Sequence, residues 1–262
     1  MGILKLMIVD SQPTLGQYVR QALSTENWTA EIEVLECALD EDYNKVIILI
    51  AANLPDIVIL DIGYPVLSGL NVSKIIARTF PETGVIIIST NPAVDDNELF
   101  EVTRSGAAAY LRIKHTRGAE LSGIVKQVLN GEHPLSNSVS NRPEVARHIL
   151  GQFQDRTSTA GTLEEIVLSL TYEETQTLTS IAEGDSINHI AYILGISEQT
   201  IRNRVTNIIH KLNTNARAYD ISNNVRNGLL SIRLARDGNL FVLNAMQSSC
   251  QLYPLLDSPR HT

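Results

Sequence analysis

The side chains best suited to chemistry fall into two groups, and the more telling one lies between residues 197 and 211. There Ser197, Gln199, Thr200, Arg202, Asn203, Arg204, Thr206, Asn207, His210 and Lys211 crowd together. On a helix over 198–212, advancing about 100° per residue, Ile201, Val205, Ile208, Ile209 and Leu212 share one face. Gln199, Asn203, Thr206, Asn207 and His210 fall opposite, flanked by Arg202 and Arg204. Amides edged with guanidinium groups are what a helix needs to read bases in the major groove. Ser197 and Thr200, with the free N–H groups of the helix start, can donate to phosphate. Double-stranded DNA is therefore the expected partner.

The second group is Asp10, Asp61, Ser89 and Thr90, each at the end of an apolar, β-branched run. Strands are predicted at 4–9, 31–36, 57–60, 85–89 and 108–113, with helices at 13–25, 41–53, 68–79, 95–105 and 116–130. Strict alternation implies a doubly wound α/β domain with a parallel five-stranded sheet and right-handed crossovers. Such sheets bind ligands at the carboxyl ends of their strands, where these residues fall.

The elements that position the first group follow from two punctuation marks. Gly195 suits the end of one helix and Ser197 the N-cap of the next. Residues 162–232 are expected to form a small four-helix domain holding this helix-turn-helix. Residues 1–130 would be the α/β domain, and 131–161, rich in Gly, Pro and Ser, a linker with one short helix around 144–153. Residues 233–262 form an extension with a strand at 239–243, and their apolar residues suit packing on the α/β domain or on a second subunit.

Composition narrows the classes further. With 44% hydrophobic and 19% charged residues the chain has the makeup of packed globular domains. Its net charge of −8 opposes nucleic-acid binding, but the charge is unevenly spread. Residues 197–236 hold seven basic side chains against two acidic ones, a local patch suited to phosphate. The run Val46–Ala52 is too short to span a membrane and reads as a buried helix segment. No secretory signal is readable, and Cys37 and Cys250 make no disulfide framework, so a cytoplasmic protein is expected, with Asn27-Trp28-Thr29 an accidental sequon. His133, His148 and His189 lack metal-ligand spacing and are expected at the surface or in helix packing. No phosphate loop, nucleophile elbow or zinc-protease helix occurs, and catalysis is not indicated.

The stretch Ala182-Glu183-Gly184, then Leu194-Gly195-Ile196-Ser197, preceded by Leu170-Thr171 and Glu173-Glu174, resembles the LuxR-type helix-turn-helix of NarL/FixJ response regulators. The resemblance implies base contacts from Arg202, Asn203 and Thr206. Asp61-Ile62-Gly63-Tyr64-Pro65, with Gly69, resembles the phospho-acceptor loop of that family's receiver domains. Asp10 matches the acidic cluster after the first strand, Ser89 or Thr90 the switch hydroxyl, and Gly106–Tyr110 the approach to the fifth strand.

Against that pattern two parts are replaced. The acid pair is reduced to Asp10-Ser11, and the lysine position falls on Ile113, with Lys114 one residue late. An acyl phosphate needs a metal and a cation to offset its charge. Mg²⁺ between Asp10 and Asp61 would be weakly held, so neither a cofactor nor a metal ligand set is expected. The expectation is a dimeric transcription regulator with an atypical receiver, its input a sensor kinase or an unidentified ligand, and control not by ordinary aspartyl phosphorylation. The contrasting reading makes the α/β domain a phosphotransfer or enzymatic unit and the helix-turn-helix a protein-interaction module.

Overall fold

The computed structural model describes residues 3–10, 14–24, 28, 31–38, 43–62, 66–90, 95–113, 116–158, 168–226, 230–234 and 240–244. The N-terminal part alternates β1 (Ile3–Asp10), α1 (Thr14–Ser24), β2 (Glu31–Ala38), α2 (Tyr43–Asn53), β3 (Ile57–Asp61), α3 (Val66–Thr79), β4 (Gly84–Ser89), α4 (Asp96–Thr103), β5 (Ala109–Arg112) and α5 (Gly118–Leu129). The strands pair in parallel in the order β2-β1-β3-β4-β5. Strand order therefore reverses at the β1/β3 pair, the place where such sheets open a crevice. Asp10 ends β1 and Asp61 ends β3.

Side chains alternate across this sheet as the period of a strand requires. Leu6, Ile8, Ile57, Ile59, Ile86 and Ile88 pack with Leu15 and Val19 of α1 and Leu121 and Val125 of α5. Met7, Val9, Val58, Leu60, Val85 and Ile87 face the other way, toward α2, α3 and α4. On α2 the expected burial of Val46–Ala52 is corrected. Val46 and Ile50 are buried, but Ile48 is 67% exposed and Leu49, Ala51 and Ala52 are exposed as well. Only one side of a helix lying on a sheet can reach it, and here the outward side is apolar too.

Beyond α5 the structure departs from a plain linker. Two helices occupy it, α6 (Leu135–Ser140) and α7 (Pro143–Ser158). The helical part then runs α8 (Tyr172–Glu183), α9 (Ile187–Leu194) and α10 (Glu198–Arg226). Among the described residues of 162–232 three helices are found where four were expected, and no Gly or Pro interrupts 198–226, so the last of them runs on for 29 residues. An antiparallel pair follows, β6 (Leu230–Leu234) with β7 (Leu240–Asn244). Of these only β7 was expected.

The chain divides into two compact units. The first takes residues 1–159 and 169–213, so it holds the sheet and the helix-turn-helix together. The α2–α4 face of the sheet belongs to one apolar core that also includes Leu135 and Val139 of α6, Val145, Ala146 and Ile149 of α7, and Leu178, Ile181, Ile190, Ile201, Val205, Ile208 and Leu212. The second unit takes residues 160–168 and 214–262. Within it Asn215 is buried and clasps the Leu168 backbone, its Oδ1 accepting from the amide at 2.8 Å and its Nδ2 donating to the carbonyl at 2.9 Å.

Burial sets the expected response to substitution. Ile59→Ala, in the centre of β3 and fully buried, should cost about 3 kcal/mol through lost transfer energy and the cavity left behind. Ile48→Lys, on the exposed side of α2, should stay within about 0.5 kcal/mol. Urea denaturation followed by circular dichroism measures both.

Candidate DNA-binding face and receiver site

The helix-turn-helix is fixed by its caps. At the start of α8 the Thr171 hydroxyl accepts from the Glu174 amide at 3.2 Å, and Glu174 Oε2 accepts from the Thr171 amide at 2.7 Å, a reciprocal capping box. Gly184 ends α8 at φ 100° and Gly195 ends α9 at φ 66°, a left-handed backbone that glycine adopts without penalty. Ser186 caps α9, and Ser197 caps α10 by accepting from the Thr200 amide at 3.1 Å.

On α10 the helical-wheel expectation meets the observed burial. Ile201, Val205, Ile208, Ile209 and Leu212 are buried. Gln199, Asn203, Asn207 and His210 are exposed, with Arg202, Arg204 and Thr206 half-buried beside them. Gln199 Nε2 donates to Asn203 Oδ1 at 2.9 Å, which pairs two of these amides along the exposed face.

The flanking cations have partners already. Arg202 Nη2 donates to Glu198 Oε2 at 2.7 Å and its Nε to Asn137 Oδ1 of α6 at 3.0 Å. Arg204 reaches Thr177 Oγ1 at 3.3 Å. Lys211 donates to the buried Glu174 carboxylate at 2.6 Å and to the Ser169 carbonyl at 3.1 Å. Lys211, expected as a DNA contact, also ties the middle of α10 to the start of α8. The sequence shows a Glu and a Lys 37 residues apart and nothing that joins them.

At the carboxyl edge of the sheet, Asp61 is 2% exposed and Ser89 equally buried, whereas Thr90 is exposed. Of the two hydroxyls offered by the sequence, the structure thus turns Ser89 inward. Asp10 Oδ2 accepts from the Leu15 amide at 3.0 Å and so helps start α1. Ser11, Lys114 and the loop 63–65 lie outside the described residues. Ile113 packs with the apolar cluster under α1 and α5, its amide donating to the Ser89 carbonyl at 3.1 Å.

Two residues that the sequence reading passed over stand beside Ser89. Tyr110 Oη donates to Glu98 Oε1 of α4 at 2.6 Å. Burial, then the Glu98 carboxylate, pushes this phenol far above its ordinary range, so it stays a donor. Arg112 pairs with Ser89 in the sheet register, and its Nη1 is buried without a hydrogen-bond partner. Two residues along the strand from Tyr110, it shares that residue's face, the face opposite Ile113. Arg112 therefore does not fill the position that Ile113 leaves without a cation. The period-2 alternation of Tyr110-Leu111-Arg112-Ile113 could have revealed this.

A Mg²⁺ site is poorly served by these donors. Among the described residues no three His, Cys, Asp or Glu side chains gather as a metal site. One Asp10 oxygen is already engaged by a backbone amide. A hard cation wants several oxygens, and Asp10 with Asp61 does not supply them.

A parallel sheet with acids at its switch point, followed by a capped helix-turn-helix, defines a receiver joined to a DNA reader. Residues 6–126 match the response regulator receiver domain, and residues 168–221 match the bacterial regulatory proteins of the luxR family. An uncharacterized transcriptional regulatory protein, YhcZ of Bacillus subtilis, is 30% identical over 80% of this chain and 89% of its own length. The transcriptional regulatory protein DegU of Brevibacillus brevis is 26% identical, over 88% and 96% respectively. The nitrate/nitrite response regulator protein NarP of Escherichia coli is 28% identical, over 81% and 90%. The chain belongs to the response regulators that carry a LuxR-type DNA-binding domain, and it is a DNA-binding transcription regulator.

The Lys211–Glu174 pair generates a prediction. Lys211→Met leaves a buried carboxylate without its cation and should cost about 3 kcal/mol, whereas adding Glu174→Gln, whose amide oxygen can still cap the Thr171 amide without a charge to pair, should recover most of that loss. Thermal denaturation of the single and double variants decides it, and equal loss in both would remove the pair from the account.

Proposed function

We propose that the chain reads its operator as a homodimer through the exposed face of α10. Gln199, Arg202, Asn203, Thr206, Asn207 and His210 meet the major groove, and Ser197, Thr200 and Arg204 meet the phosphates. The observation that carries this reading is the division of α10 into a buried apolar side and an exposed amide-rich side. A single helix reads only three or four base edges, so a site of useful specificity takes two copies. The protein works in the cytoplasm. That no described helix is long and apolar enough to cross a membrane accords with this. A phosphotransfer or enzymatic role for the sheet domain, with the helix-turn-helix binding protein, draws no support from the residues at the sheet edge.

Control in this reading does not run through ordinary aspartyl phosphorylation. The position expected to hold the lysine is occupied by Ile113, which packs into an apolar cluster and cannot neutralise a phosphoryl group. An acyl phosphate at Asp61 would put about two negative charges at a buried position near Asp10, with little to offset them. The input is then a ligand or partner at the sheet edge.

Two measurements test these statements. Arg202→Ala and Asn203→Ala should each weaken binding to a selected operator by about 1–3 kcal/mol while leaving the fold intact, and affinity should fall steeply with salt. Unchanged affinity in both folded variants would remove this face from DNA. Incubation with acetyl phosphate and Mg²⁺ should leave the chain unmodified by intact-mass spectrometry, and Asp61→Asn should barely change DNA affinity. Stoichiometric modification at Asp61 would restore the ordinary switch.

A further inference from the structure

The recognition helix is gripped along one flank by the segment that follows the sheet domain. His133, on the loop before α6, and Asn137, within α6, meet residues 210 and 202 of α10. Asn137 accepts from Arg202 Nε at 3.0 Å, and the His133 ring meets the His210 ring edge to face, with centroids 4.8 Å apart at 81°. The grip is anchored on the sheet side. The Leu135 amide donates to the Ala108 carbonyl at 2.9 Å, the Ser136 hydroxyl donates to the His133 carbonyl at 2.9 Å, and Leu135 and Val139 are buried in the shared core. Release must therefore happen at the surface of α10 rather than by movement of α6.

We propose that His133 and His210 form a proton-sensitive latch, which holds the recognition helix against α6 while both rings are neutral and frees it when the pair is charged. The inference rests on the DNA-reading face proposed above, since Arg202 and His210 belong to both. Two neutral aromatic rings attract edge to face, and the arrangement also seats Arg202 on Asn137. Two imidazolium rings at this distance repel one another.

Burial, and then the charge of His210, hold His133 below the ordinary histidine range, and partial loss of water around its ring does the same for His210, although that residue lies on the exposed side of α10. α6 carries no charged residue, Glu132 lies on the loop before it, and over 198–216 α10 carries Glu198, Arg202, Arg204, which reaches Thr177, and Lys211. Glu198 is paired with Arg202, and Lys211 is turned toward Glu174. The latched state binds fewer protons than the released one. Latching is thus complete above about pH 6.5 and weakens as pH falls below it.

The test uses the full chain and reads its compaction by small-angle scattering, independently of DNA. Wild type should be compact at about pH 8 and expand toward about pH 6, in the range where histidines titrate. H133F keeps an aromatic edge that cannot be charged, and it should stay compact at both. H133K places a permanent cation against His210 and should be expanded already at about pH 8, with H210K serving the same purpose should H133K fail to fold by circular dichroism. In parallel, the affinity of H133K for a fluorescein-labelled mixed-sequence duplex should exceed that of wild type by about fivefold at the higher pH, the lower end of coupling between sites. A wild type of constant dimensions across this range overturns the latch, as does an H133F that expands in step with it or a folded lysine variant that stays compact. Expansion without any gain in DNA affinity would keep the latch and count against the proposed DNA face instead.

Discussion

Burial of the apolar stripe of α7 is the constraint from which the arrangement of the first unit follows. Val145, Ala146 and Ile149 are fully buried, and their core includes side chains from both the sheet and α8–α10. Toward the sheet domain, Arg142 pairs with Asp96 at 2.9 Å and the His148 ring meets the edge of Phe100, both partners lying on α4. Toward the DNA reader, α7 packs along α8. Exposing this stripe would return several apolar side chains to water, at about 25 cal/mol for each Å². The packing of α7 couples the sheet to α8, and the flank of α10 meets α6 through lighter contacts such as Asn137 with Arg202.

Much of this architecture was legible in the sequence because its signals are local. The five strands and five helices of the sheet domain announce themselves through β-branched runs and amphipathic spacing. Gly195 with Ser197 marks the turn between α9 and α10, and the apolar period of Ile201, Val205 and Ile208 fixes which side of α10 is covered. Features that depend on partners distant in the chain were less legible. Lys211 looked like a surface cation because nothing near it in sequence reveals Glu174. The run Val46–Ala52 looked buried because periodicity cannot say how much of a helix its neighbours will cover. The strand β6 was missed although Leu230, Ile232 and Leu234 alternate with Ser231 and Arg233 and precede Asp237-Gly238, a pair favoured in hairpin turns.

The sheet edge shows how a small change in composition alters what a conserved-looking geometry can do. Asp61 and Ser89 occupy the carboxyl ends of adjacent strands, buried and close to the switch point of the sheet. Ile113, on the neighbouring strand's exit, is drawn into an apolar cluster that a lysine would avoid. Arg112 keeps a guanidinium nearby, yet strand geometry turns it to the Tyr110 face. One residue of phase therefore separates a cation on the Ile113 face of the strand from one on its Tyr110 face.

Glu174 occupies a different kind of junction. Its Oε2 caps the Thr171 amide and also takes the Lys211 ammonium, so the first turn of α8 and the middle of α10 hold the same oxygen. Fraying of either helix there would strip a partner from the other. The amides of α8's first turn and those around Lys211 should accordingly exchange with solvent deuterium in a single cooperative opening rather than as independent ends. A reader that opens only as a whole keeps its helices in register between encounters with DNA, and partly unwound forms that grip non-specific sequence stay rare.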